Sequence, residues 1–290
     1  MTNIKKKLMY ALSVLALVTL ITFPRTQSVP GSSIAPAFKE GENSITFIGH
    51  STVLIHLNGT NILTDPNFNN WAVIVHRGRE PGIKIENLPK IGAILISHAH
   101  RDHLDKWTME QLPKDTPVLI SEGNGAILRD WGFTDVREMN VWNKTEVNGI
   151  KITAAPAKHS GARNSASADF PKALGYIVQG DKTVYFAGDT GLFDGLKEIG
   201  NYSQIDAALL PIGAYSPRWF MKSHHMNPDD AIQAMAMLGA KEMIPIHWGS
   251  FRMAYDGINE PKDMLLKLVE NSSLKEIIHV LDNGEKYLLP

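Results

Sequence analysis

The sequence predicts an α/β protein (α+β in some schemes) of two mixed β-sheets packed face to face, with helices on both outer faces. Three observations lead there. Each half of the 290-residue chain opens with several strand-like runs and then alternates strands with helices. The strand-like runs are short, apolar and bounded by Gly, Asn, Asp or Pro. Side chains that could bind metal stand just after strands, so loops of both halves should meet at one edge of the sheets.

Ser44 to Ile48 and Thr52 to Leu57 read as strands, and Asn58-Gly59 turns the chain into a third, Asn61 to Thr64, ended by Asp65-Pro66. Residues 67–89 form a long irregular stretch with Phe68, Trp71 and an apolar patch at Val73, Ile74 and Val75. A loop of that length belongs at a binding rim. Ile91 to Ser97 reads as a strand, Asp105 to Leu112 as a helix stopped by Pro113, Val118 to Ser121 as a strand, Gly125 to Trp131 as a helix and Thr134 to Met139 as a strand. In the second half Asn148-Gly149 turns into the strand Ile150 to Ala155, and Leu174 to Gln179 pairs with Thr183 to Ala187 around Gly180-Asp181. Helix Leu192 to Ile199, strand Ile205 to Leu210, helix Pro228 to Leu238, strand Lys241 to Ile246, helix Pro261 to Asn271 and two short strands complete the chain.

The composition, 43% hydrophobic and 20% charged, is that of a globular protein with an ample core. A net charge of −1 and a pI near 6.8 give no electrostatic case for nucleic acid as a partner. The N-terminus departs from this average. Lys5, Lys6 and Lys7 precede an uncharged, mostly apolar run from Leu8 to Phe23, then Pro24 and Arg25. That is the layout of a signal peptide or an N-terminal membrane anchor over residues 1–28, with Thr26 and Ser28 as the small residues of a cleavage site. Residues 29–43, rich in Pro, Gly, Ser and Ala, read as a linker, and 44–290 as the folded domain. The lysines should stay cytoplasmic and the body be exported, to a bacterial-type periplasm or cell envelope, with membrane association through the N-terminal segment. Losing residues 1–28 removes four basic residues and no acid, leaving 25 against 30 acidic, a net −5. Absence of Cys excludes a lipoprotein anchor and agrees with an oxidising compartment.

The chemistry centres on Ser97-His98-Ala99-His100-Arg101-Asp102-His103-Leu104. His98 and His100, two apart, project to one side if strand geometry continues through them, while Asp102 and His103 can face a second ion. Such a site suits zinc, with iron or manganese as alternatives. Three later segments, Ala154 to His159, Phe186 to Gly191 and Ile244 to Gly249, end strands with His159, Asp189 and His247.

The H-x-H-x-D-H cluster followed by isolated His, Asp and His resembles the metallo-β-lactamase superfamily. The resemblance implies a four-layer αββα sandwich. It assigns His98, His100 and His159 to one divalent ion and Asp102, His103 and His247 to another, bridged by Asp189, with Asp102 counted among the catalytic residues. Phe47-Ile48-Gly49-His50-Ser51-Thr52, Leu63-Thr64-Asp65-Pro66, the segment Leu210 to Lys222, and His225-Met226-Asn227-Pro228 are similar to the phospholipase D subfamily that hydrolyses N-acyl-phosphatidylethanolamine. This implies a phosphodiesterase in which hydroxide shared by two ions attacks phosphorus, releasing phosphatidic acid and N-acylethanolamine. His225 is then expected to orient phosphate or protonate the leaving oxygen. Tyr215 and Arg218 are expected to bind phosphate, and Trp219, Phe220 and Met221 to line an acyl groove or join the core. His50 and Asp65 are expected to orient metal ligands. Two alternatives stand beside this reading: an acyl hydrolase of lactones or β-lactams on the same fold, and a non-catalytic metal-binding envelope protein. The substrate in view is a phospholipid or a small molecule.

Overall fold

The computed structural model describes residues 37–161, 163 and 172–290. The expected signal or anchor lies outside the described residues, and among these no helix is long and apolar enough to cross a membrane. The last residues of the expected linker are packed on the body: Phe38 stacks on His56 at 3.9 Å and Lys286 Nζ donates to the Ala37 carbonyl.

Among the described residues, fifteen strands and six α-helices follow. The first sheet holds β1 (Ser44–Gly49), β2 (Thr52–Leu57), β3 (Thr60–Thr64), β6 (Ala93–Leu95), β7 (Val118–Ser121), β8 (Val136–Met139) and β15 (Lys286–Leu288), in the order β15-β1-β2-β3-β6-β7-β8. The second holds β9 (Lys144–Val147), β10 (Ile150–Ser160), β11 (Lys172–Gln179), β12 (Thr183–Phe186), β13 (Ala207–Pro211) and β14 (Glu242–Ile246), in the order β14-β13-β12-β11-β10-β9. In both, antiparallel hairpins come first and parallel strands follow: β3, β6, β7 and β8 in one, β12, β13 and β14 in the other. The two halves therefore share an element order, as expected. A two-stranded hairpin, β4 (Trp71–Ala72) and β5 (Val75–His76), stands apart.

Period-two alternation divides the core. Along β2, Val53, Ile55 and Leu57 face the second sheet, meeting Ile152, Tyr176, Val178 and Leu209. Leu54 points the other way, toward Met109 of α1 (Lys106–Gln111) and Leu128 of α2 (Gly125–Asp130). Behind the second sheet lie α3 (Gly195–Tyr202), α5 (Pro228–Leu238) and α6 (Glu260–Val269). This is the four-layer sandwich.

Several boundaries move. The strand expected over 91–97 is confined to Ala93–Leu95, because the Ser97 amide leaves the ladder to donate to Asp65 Oδ1 at 2.7 Å. β9, polar and exposed on alternate residues, was not anticipated, nor were β4 and β5 or the short helix α4 (Arg218–Met221). Of the two final strands only β15 forms; the other reduces to a single bridge between Met243 and Ile278.

Candidate metal centre

Loops after β6, β12 and β14 and the last residues of β10 bring the expected ligands to one place, beside His50 and Asp65 from the ends of β1 and β3. His98, His100 and His159 form one group. His100 Nδ1 lies 2.8 Å from His98 Nε2 and 3.2 Å from His159 Nε2. Asp102, His103 and His247 form the other, with His50 beside them. Asp189 Oδ2 is 3.2 Å from both His103 Nε2 and His247 Nε2, and His103 Nε2 is 3.3 Å from Asp102 Oδ2.

Donor accounting fixes the tautomers. Asp65, fully buried, accepts from the Ser97 amide, from Ser97 Oγ at 2.6 Å and from His103 Nδ1 at 2.6 Å. The Ser97 hydroxyl proton is therefore committed to Asp65, so His98 Nδ1 must donate to Ser97 Oγ, 2.9 Å away. His159 Nδ1 donates to the His224 carbonyl at 3.1 Å. With those N–H groups used, the Nε2 lone pairs of His98, His103 and His159 all face the centre. With a neutral ring, His103 Nε2 would aim its lone pair at the Asp102 and Asp189 oxygens, which repel it unless a proton or a cation lies between.

The orphaned atoms say the same. His103 Nε2, Asp189 Oδ1 and both ring nitrogens of His247 are buried without a hydrogen-bond partner among the described residues. Burial holds His98 well below the ordinary histidine range and His159 at about 4, so both are neutral at pH 7. Burial also opposes charge on His247, yet Asp189 and Asp102 overcome it and raise the group to about 9; His103 is raised likewise. Protons there occupy the position of a cation. Seven side chains of this kind in two groups fit two divalent ions, with nitrogen and carboxylate donors suited to zinc or iron.

The backbone is bent to achieve this. His50, Asp65 and His247 all have positive φ (58°, 33° and 60°), a conformation costly for non-glycine residues and concentrated at functional sites. Gly188, at φ 59°, brings the Asp189 loop so near the histidine cluster that a Cβ there would lie 2.3 Å from Ser97 Cβ.

Of the two residues expected to orient ligands, His50 has its Nε2 3.1 Å from Asp102 Oδ2, and Asp65 contacts His103 directly and His98 through Ser97. His225 Nδ1 lies 3.7 Å from Asp189 Oδ2, and burial pushes the ring down to about 3. Arg218 is placed otherwise than expected: its guanidinium bonds Asp230 and the His225 carbonyl, so it fixes the His225 loop instead of facing a phosphate. The Tyr215 hydroxyl is turned to Glu260 Oε1, 2.9 Å away. Trp219 projects into solvent.

Sequence reasoning missed a second layer. Asn67 Nδ2 donates to the Asp102 carbonyl, and Arg77, fully buried, grips the Asn67 and Asn69 carbonyls at 2.7 and 2.8 Å. Its guanidinium lies over Phe251, which packs edge-on against His50. Burial pushes Arg77 down to about 9, against the pull of nearby Asp105. Asn67 directly follows the noted Asp65-Pro66 turn, the one available hint; nothing local marks Arg77.

Comparison with known proteins agrees with this geometry. A family model described as a Beta-lactamase superfamily domain matches residues 60–248. The chain is 36% identical over 267 residues to N-acyl-phosphatidylethanolamine-hydrolyzing phospholipase D 1 of Caenorhabditis elegans, covering 83% of this chain and 74% of that one. It is 29% identical over 247 residues to a metal-dependent hydrolase of Methanopyrus kandleri, covering 84% and 98%. The crystal structure of a "possible metal-dependent hydrolase" from Veillonella parvula superposes with a TM-score of 0.73 over 86% of this chain and 100% of that one, at 18% identity, a likeness of fold.

Proposed function

Because the chain belongs to the metallo-β-lactamase superfamily and is a metal-dependent hydrolase, we propose that it is a phosphodiesterase of phospholipase D type acting on N-acylated phosphatidylethanolamine. The observation that carries this reading is His225, a neutral imidazole at the edge of a two-group metal centre, with its loop anchored by Arg218. The 36% identity to the worm phospholipase supports it.

Divalent cations bound at the two groups would acidify water and withdraw charge from the phosphoryl oxygens. The chain's own residues supply the rest. Asp65 and the His224 carbonyl fix the tautomers that leave ligand lone pairs free. The neutral His225 ring offers one N–H, placed to donate to the substrate's leaving oxygen. In the net reaction a water oxygen bonds to phosphorus, the phosphorus–oxygen bond to the ethanolamide breaks, and a proton passes to that oxygen. Phosphatidic acid and N-acylethanolamine result.

Zinc-loaded protein incubated with N-acyl-phosphatidylethanolamine should yield both products by mass spectrometry, with none after chelation. Loaded protein that leaves this lipid and simple diesters intact while opening lactones would overturn the reading. We also propose export through the N-terminal segment, supported by Lys5–Lys7 and the apolar run after them. Recovery of the native protein from a cytoplasmic fraction alone would contradict it.

A further inference from the structure

Around the metal centre stand separate apolar projections. Val73 and Ile74, each 64% exposed, form the tip of the β4–β5 hairpin; Trp107 on α1, Trp219 and Phe220 on α4, and Tyr255 complete the set, Trp219 at 86% exposure. Hydrogen bonds join their bases into one rim. Asn69 at the hairpin foot donates to Asp105, the cap of α1; Gly78 at the other foot donates to the Ser250 carbonyl; and Tyr255 donates from its amide to the Ser216 carbonyl, just before α4. The same loops carry Asp102 and His225. Exposed cations stand near these apolar groups along the chain: Arg101 and Lys106 before Trp107, Lys222 after Phe220 and Arg252 before Tyr255. Lys106 is paired with Glu110 at 3.6 Å.

We propose that this rim docks on an anionic phospholipid bilayer and presents the metal centre to lipid head groups. The proposal rests on the phospholipid reading above, which it deepens. Trp and Tyr favour the interfacial zone of a bilayer, where a ring can be half-buried and half-wet. Basic side chains near them match anionic head groups. A second copy of the chain is a poorer occupant, since a two-fold contact would set like charges against each other.

Tryptophan emission tests this in the full chain, because residues 1–36 contain no Trp, Trp107 and Trp219 stand on the rim, and the half-exposed Trp71 lies in the hairpin strand β4. Phosphatidylcholine–phosphatidylglycerol vesicles with brominated acyl chains should quench the emission, less so at high salt. The double variant Ile74→Glu, Tyr255→Glu should lose at least about tenfold in vesicle affinity and keep its turnover of a soluble diester. Absence of quenching, quenching untouched by the double variant, or a variant that changes only oligomer mass would overturn the proposal. Neither vesicle lipid is the proposed substrate. Quenching is therefore read independently of turnover: quenching together with no hydrolysis of N-acyl-phosphatidylethanolamine by the zinc-loaded protein would sink the catalytic reading alone, and that hydrolysis without quenching the docking alone.

Discussion

Asp65 carries more of the metal centre than its place behind the two ligand groups suggests. It orients His103 directly and His98 through Ser97, so Asp65→Asn should disturb both ligand groups. Zinc affinity should fall about 10- to 100-fold, measured by competition with a chelating dye, while the far-ultraviolet dichroism stays unchanged. Arg77→Gln should cost about 2–4 kcal/mol in denaturant unfolding, because two buried carbonyls lose a charged donor. It should also release zinc faster by loosening Asn67 under Asp102; an unfolding loss with unaltered zinc release would confine Arg77 to stability. The ligands were legible because each is a chemically distinctive residue at a strand end. The brace was not, since Arg77 looks like any loop arginine until Phe251 and the Asn67 carbonyl fold around it.

At the level of elements, what a turn dictates was visible beforehand. Asn58-Gly59 makes the hairpin expected of it, Asn148-Gly149 turns the chain into β10, and the helix expected over Pro228 to Leu238 forms as α5, closed by a capping box of Asn227 and Asp230 that was not foreseen. What depends on the partner was not. β9 is recognisable only through its pairing to β10, and β10 runs past Pro156 to Ser160 because β9 ends opposite Thr153, leaving no neighbour on that side to need the missing N–H. The loops that carry Asp189 and the histidine cluster are fitted at glycine. Gly188→Ala should meet both a positive φ and Ser97, so a lower melting temperature and a reduced zinc content are expected together; normal zinc content in that variant would show that the two loops can separate.

For the whole molecule, the two-sheet architecture was readable from the shared order of elements, whereas the seam between the halves had to be inferred from chemistry. That seam governs the pH response. Metal-free protein holds His50 and His225 at about 3 and His159 at about 4, below the ordinary 6.5, so the unfolded chain takes up protons first and stability falls as pH drops below 6.5. His247 is raised to about 9, and its contribution, full below 6.5, is lost as pH rises through 9. Thermal unfolding of the metal-free protein should therefore peak near pH 6.5, and zinc should move the peak upward by replacing the proton on His247. A zinc-free curve flat across this range would contradict the burial of those rings.

The proposed reaction needs both ligand groups filled before one substrate turns over. Zinc titrated into the metal-free protein, with bound metal and diester turnover followed together, probes that requirement. Binding should reach two equivalents, with turnover appearing as the second is filled. Saturation at one equivalent, or two bound equivalents with every diester left intact, would contradict it.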